Sequence, residues 1–357
     1  MEINPAFWAK KKVLITGHTG FKGSWLALWL VSLGADVIGY ALKPPTTPNL
    51  FEIAQASKKI TSVIGDIRNL NDLRATIDHH QPQIVIHMAA QSLVMESYKH
   101  PTETYATNIM GTVNILESTF HSNSVKVLIN VTSDKCYANN EQAQKYKEDS
   151  PMGGYDPYSS SKGCAELVTN AYRNSFFSDS TPKAFIASGR AGNVIGGGDW
   201  AKNRLVPDIM KEFMAGRPAF IRNPSFIRPW QHVLDPLSGY LLLAEKLWLE
   251  GGSLAEGWNF GPSEANSQPV SWVVKRLADL WGQNAQWQTG SAPQAHEASV
   301  LRLDCSKARN ILGWNSKLNL EEALDWTHEW YQAYHKKEDM PKFTRAQISR
   351  YQDMRFT

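Results

Sequence analysis

Four residues in this chain have the types and spacing for proton chemistry. Asp134 and Lys135 stand side by side in "VTSDKCY", directly after the apolar run "VKVLIN". Tyr158 and Lys162 follow in "YSSSK". A carboxylate beside an amine, where a buried strand ends, pairs an acid with a possible base. A phenol and an ammonium at i, i+4 share one face of a helix. A phenol titrates near ~10, so it needs a neighbouring cation or a bound cationic ring to act as a base near neutrality. The bland alternatives are a surface salt bridge at Asp134-Lys135 and an exposed tyrosine lying along the Lys162 stem.

These residues must be held by something, and the first half of the chain supplies a regular scaffold. Strand patterns "KVLITG" (12–17), "ADVIGYAL" (35–42), "ITSVIGD" (60–66), "QIVIHMAA" (83–90), "KVLINVTS" and "AFIASGR" (184–190) alternate with helical stretches at 20–33, 69–79, 100–120 and from about Tyr158. Short apolar runs alternating with helices predict an α/β fold, a doubly wound parallel sheet of Rossmann type. After residue 190 the texture changes to Gly- and Pro-rich loops with aromatics and arginines, and to helices near 205–215, 235–250 and 268–282. The expected division is a dinucleotide-binding domain over 1–190, with 230–255 returning to it, and a smaller substrate domain over 191–229 and 256–357.

The first strand runs into Gly17-His18-Thr19-Gly20-Phe21-Lys22-Gly23. Glycines at that spacing permit a tight turn and let a pyrophosphate approach a helix N-terminus. A plain strand-to-helix turn is the alternative. Gly17, Thr19, Gly20, Phe21, Lys22 and Gly23 are therefore the expected dinucleotide cradle. Asp66 and Ile67 are expected at the adenine edge, and Ala89, Ala90 and Gln91 along the middle of the cofactor. The second strand ends "GYALKPP", with no acidic residue for the adenosine ribose, and Lys43 could face a 2′-phosphate. That strand end alone does not separate NAD from NADP.

Composition narrows the rest. The chain has 357 residues, a net charge of +3 and scattered Lys and Arg, which gives no basic surface for nucleic acid. Cys136, Cys164 and Cys305 lack metal or disulfide-framework spacing, and ten histidines show no paired ligand spacing. A reduced, cytoplasmic chain without metal is expected. The N-terminus has no signal-peptide core and no run approaches a membrane span.

Taken together, the glycine turn and the Tyr158/Lys162 pair resemble the extended short-chain dehydrogenase/reductase family. Within it, "GHTGFKGSWL", "PPTTPNLF", "HMAAQS", "NIMGTVNILE", "SDKCY", "YSSSKGCAEL", "RAGNVIGGGDW" and "RPWQHVLDPL" are similar to the nucleotide-sugar 4,6-dehydratases. Dehydratases of this kind carry Asp-Glu where this chain has Asp134-Lys135, epimerases carry neither, and Asp-Lys marks the cytidine branch. The resemblance implies NAD as cofactor, CDP-D-glucose as substrate, and a homodimer or homotetramer. It implies Tyr158 as base at the 4-hydroxyl, assisted by Lys162. Ser133 would hydrogen-bond that hydroxyl, Lys135 would act as base at C5, and Asp134 as acid for the departing 6-hydroxyl. It makes Asn108 a support for the active-site backbone beside the cofactor. Asn193, Arg204, Arg228 and Arg302 are then candidates for the pyrophosphate, since guanidinium forks match phosphate oxygens. Trp200, Trp230 and His296 are candidates for the base or sugar. Ser92 and Met95 depart from the Pro and Arg usual in similar members. Another nucleotide specificity, or a 4-epimerase of the same family, is the alternative activity; a non-catalytic NAD sensor would be expected to lack Tyr158 or Lys162.

Overall fold

The computed structural model describes residues 2–139, 145–178, 183–282, 285–290 and 301–354. Seven strands form one parallel sheet: β1 (Lys12–Thr16), β2 (Asp36–Ala41), β3 (Thr61–Ile64), β4 (Ile84–His87), β5 (Val127–Val131), β6 (Phe185–Arg190) and β7 (Gly257–Asn259). Their order is β7-β6-β5-β4-β1-β2-β3. The order reverses between β1 and β4, and the crevice beyond the strand ends at that point is where such sheets bind ligands.

The near-continuous apolar runs of β1, β4 and β5 reflect burial on both faces. Successive side chains alternate between two cores. Val13, Ile15, Ile84, Ile86, Val127 and Ile129 join one, and Leu14, Val85 and Leu128 the other. The first core is closed by α1 (Phe21–Ser32), by α6 (Leu234–Glu250) and by two C-terminal helices, α8 (Leu320–His335) and α9 (Met340–Asp353). The second is closed by α2 (Leu70–His80), α3 (Gly111–His121) and α4 (Pro157–Phe176).

The second lobe contains α5 (Leu205–Met214), α7 (Val270–Trp281) and three short strand pairs. Val270, Val273 and Leu277 of α7 belong to the same core as the sheet. Gly257–Asn259, grouped with the second lobe on sequence, pairs with β6 as the edge strand of the main sheet. The helix expected over 100–120 is broken: Pro101–Tyr105 leads into a π-helical turn, Ala106–Met110, before α3. That widened turn carries Asn108. The strand and helix patterning flagged neither α8 nor α9.

Candidate active site

The glycine turn is shaped by what lies around it. Gly17 has φ +79°, and a Cβ there would fall 2.8 Å from the Ala89 backbone nitrogen. A Cβ on Gly23 would fall 2.2 Å from the Gly17 carbonyl oxygen. At Gly20 the nearest atom would be 3.4 Å away, so protein packing does not demand this glycine. The first-turn N–H groups of α1 lack intrahelical acceptors. Together these leave a cradle of free donors over which a pyrophosphate fits.

Other residues expected to touch a cofactor divide. Thr19 is buried, its hydroxyl donating to the Leu42 carbonyl at 2.9 Å, which straps the turn to the end of β2. Phe21 packs beneath Gly196. Lys22 lies 3.3 Å from the Tyr240 hydroxyl, and burial, followed by the charges of Lys162 and Arg204, lowers its ammonium to about 7. Asp66 is closed onto Arg68, accepting from the Arg68 backbone at 2.9 Å and from its guanidinium at 2.6 Å. The Asp66 side chain stays 30% exposed beside that ion pair. Ile67 is buried and its carbonyl accepts from Asn114.

Asn108 accepts from the Gln91 backbone N–H at 2.8 Å and donates to the Gln91 carbonyl at 2.9 Å and to Ser161 at 2.8 Å. It thus ties the segment after β4 to α4. The Thr16 hydroxyl, 2.7 Å from His87, accepts from the N–H groups of Met88 and Ala89 and shapes the same segment. His87 entered the sequence reading only as the first residue of "HMAAQS", with no role of its own.

The acid and base groups expected from the sequence meet at the end of β5 and the start of α4. Ser133 caps a single 3-10 turn, Asp134–Cys136, accepting from the Lys135 N–H at 3.2 Å. The Ser133 hydroxyl donates to Asp134 at 2.9 Å, and the Lys135 ammonium lies 3.9 Å from the same carboxylate oxygen. The Asp134 side chain is 2% exposed, which rules out a surface salt bridge. Helix α4 starts at a side-chain cap: Asp156 accepts from the Ser159 N–H at 3.0 Å and from its hydroxyl at 2.5 Å. That start, with Pro157 in the first turn, places Tyr158 and Lys162 on the face toward Ser133.

Burial raises the Tyr158 phenol, while the Ser133 hydroxyl and the charges of Lys135 and Arg204 pull it down. Lys162 donates to the Val131 carbonyl at 3.5 Å, and burial lowers it to about 8.

A cleft runs from Asp134 and Gly192 into the second lobe, reaching Arg302 and Arg309. Asn193 donates to Asp134 at 3.4 Å. Arg302 sits in the cleft, 3.7 Å from Glu264. Arg204 is held between Asp199 and Ser92, each at 3.0 Å, and faces the phenol. Arg228 is buried over the Phe226 ring, outside the cleft lining. Trp200 packs against Tyr331 and Tyr334, and Trp230 is likewise core. Neither lines the cleft. His296 lies outside the described residues. Arg309 was missed because nothing in its neighbourhood marks it from the sequence.

A sheet reversing at a glycine turn, with Tyr and Lys one helical turn apart, defines a dinucleotide-dependent enzyme fold. The family model described as GDP-mannose 4,6 dehydratase matches residues 14–327, and the chain belongs to that family. The chain is 51% identical over 352 residues to a CDP-glucose 4,6-dehydratase of Salmonella typhimurium, covering 98% of each. A CDP-paratose 2-epimerase of Salmonella typhi is 27% identical over 89% of this chain and 98% of its own. In fold, a dTDP-glucose 4,6-dehydratase from Streptomyces venezuelae, solved with NAD, has a TM-score of 0.78 at 22% identity, over 92% of this chain and 99% of that one. A UDP-glucose 4-epimerase from Thermotoga maritima, solved with UDP-glucose, gives 0.78 at 23%, over 90% and 99%.

Proposed function

We propose that this chain is a hydro-lyase that converts CDP-D-glucose to CDP-4-keto-6-deoxy-D-glucose with NAD as resident cofactor. The observation that carries it is the Asp134–Lys135 pair, at 3.9 Å, beside Tyr158 in a chain 51% identical to a CDP-glucose 4,6-dehydratase. The Gly17/Gly20/Gly23 cradle supports the cofactor. When bound there, NAD supplies a hydride acceptor at C4 that returns the hydride at C6.

The chain's own groups handle the protons. Tyr158 takes the proton of the 4-hydroxyl, with Ser133 hydrogen-bonding the same oxygen and Lys162 beside it. The 4-keto group acidifies C5; Lys135 removes that proton and returns one to C5 as the hydride reaches C6. Asp134, shielded from water, protonates the 6-hydroxyl as it departs. The two roles are complementary: Lys135 takes a proton from C5, and the buried Asp134, 3.9 Å away, gives one to the leaving oxygen. Arg302 and Arg309 hold the diphosphate in the cleft.

Two further statements belong to this reading. Tyr105 and Met110 before α3, and Leu167 and Phe176 on α4, are exposed apolar side chains, which supports a homodimer or homotetramer through these helices. Among the described residues the cysteines are unpaired and no helix is long and apolar enough to cross a membrane. That fits a cytoplasmic enzyme, supplying deoxysugars for polysaccharide such as lipopolysaccharide O-antigen.

The test is incubation with CDP-, UDP-, GDP- and dTDP-glucose in turn, read by mass. CDP-glucose should lose one water much faster than the others. Comparable rates with dTDP-glucose would sink the nucleotide assignment.

A further inference from the structure

Beneath the catalytic segment lies a buried ion pair that the reaction outlined above does not use. Glu166 and Arg190 meet at 2.8 Å, their side chains 4% and 6% exposed. Glu166 follows Lys162 by four residues and Tyr158 by eight, so α4 presents all three from one face. One Glu166 oxygen accepts from the Thr132 hydroxyl, and the other from Ser188 at 2.7 Å and Arg190 at 2.8 Å. Arg190 reaches the other way, donating to the Tyr137 hydroxyl at 2.7 Å and to the Glu148 carbonyl at 2.9 Å. Thr132 immediately precedes Ser133, and Tyr137 immediately follows Cys136. Both ends of the segment holding Ser133, Asp134 and Lys135 are therefore tied to one ion pair.

The ties continue into the second lobe. The Tyr137 hydroxyl also donates to Asn259 at 2.7 Å, and the Asn259 amide donates to the Tyr146 and Asp304 carbonyls at 3.0 and 3.1 Å. Asp304 lines the cleft.

Stability alone does not explain such an arrangement. Desolvating two charges offsets most of their attraction, and apolar residues of similar size hold two elements together as well or better. Apolar residues cannot hold the Thr132 and Tyr137 hydroxyls, and they place no charge below Lys162. Burial lowers the Lys162 ammonium, and the Glu166 charge opposes that fall.

We propose that Glu166 and Arg190 are positioning residues: the pair sets Ser133, Asp134 and Lys135 against Tyr158, and puts a fixed negative charge one helical turn below Lys162. The roles of those four residues rest on the reaction proposed above; the clamping of segment 132–137 does not.

Two variants test it. Glu166→Gln keeps the shape and removes the charge. Thr132→Val removes only one tie and leaves the ion pair. With CDP-glucose, both should lower kcat on the order of 10²-fold, as a misplacement of about 1 Å does, while KM stays within about threefold, because Arg302 and Arg309 of the cleft make none of the bonds removed. Only Glu166→Gln should also move the alkaline limb of the kcat/KM profile down, by about one pH unit or more, since Lys162 then loses its proton earlier.

Hydrogen exchange gives a readout free of turnover. Amides of 133–137 should exchange at least about tenfold faster in both variants, with the β5 amides unchanged. Exchange that accelerates equally in loop and sheet, or an unmoved alkaline limb with unchanged loop exchange, would overturn the proposal. Should Glu166→Gln fail to fold, Thr132→Val decides: wild-type loop exchange and kcat refute it. A wild-type enzyme that ignores CDP-glucose would instead sink the reaction, while the exchange data still judge the clamp.

Discussion

Lys135 and Asp134 are the residues whose roles separate most cleanly by experiment. They share one turn, 3.9 Å apart, yet in the proposed reaction they act on different bonds of the sugar. Lys135→Met should still bind CDP but give neither dehydration nor deuterium at C5 in deuterated water, whereas wild-type product should gain deuterium there. Asp134→Asn should keep C5 exchange and slow the loss of water by about 10²–10⁴, the usual range for a lost general acid. A purely structural salt bridge would make both variants lose both reactions together. Proton exchange by mass spectrometry and product release by chromatography distinguish the cases. Lys135→Met that dehydrates normally would refute its role as base.

Helix α4 matters because one element carries Tyr158, Lys162 and Glu166. Its start is set by Asp156, which accepts from both the backbone and the hydroxyl of Ser159, and Tyr158 sits in the turn so capped. Removing such a cap costs about 1 kcal/mol, within a range of about 0.5–2. Asp156→Ala should therefore lower unfolding free energy in urea by about that amount. It should also lower kcat more than it weakens CDP binding, because the frayed turn carries the phenol and the cleft lies elsewhere. Equal loss in kcat and CDP affinity would show that the cap serves the whole site. The π-helical turn at Ala106–Met110 does comparable work from the other side, since it lets Asn108 grip Gln91 and Ser161 at once.

Across the whole molecule, buried titratable groups set an acid response. Desolvation lowers His18 to about 4, and His87 and His232 to about 3, all below the ordinary 6.5. Because the folded state binds these protons less well than the unfolded chain, their contribution is present above about 6.5 and lost as pH falls toward 4. Asp235 runs the other way. Burial lifts it from 3.8 to about 7, so its contribution is full below about 4 and lost as pH rises through 7. Among these four buried groups the histidines outnumber the aspartate, so their combined effect is a loss of stability on acidification between about 4 and 6.5. Unfolding free energy should fall steeply with acidification over that window. Asp235→Asn, which keeps an acceptor for Lys317 and Tyr351, should steepen the fall. A flat profile from pH 6.5 to 4.5 would show that the histidines are hydrated in the folded state.

Local periodicity settled much of this protein before any coordinates. Runs such as "KVLITG" and "QIVIHMAA" alternate with helical stretches, and a strand's side chains must point to opposite faces, so a sheet covered on both sides follows from the apolar pattern alone. Tyr158 and Lys162 share a face because a helix puts i and i+4 together, and Gly17 and Gly23 belong to a turn with no room for a Cβ at either position. Partners across elements are another matter. Trp200 and Trp230 turn into the core. Lys22 buries its amine, and Glu166 finds Arg190 twenty-four residues away. Each of those outcomes depends on which distant segment packs against which face. A side chain's neighbours are chosen by the packing of the whole chain, whereas its direction is chosen by the few residues beside it.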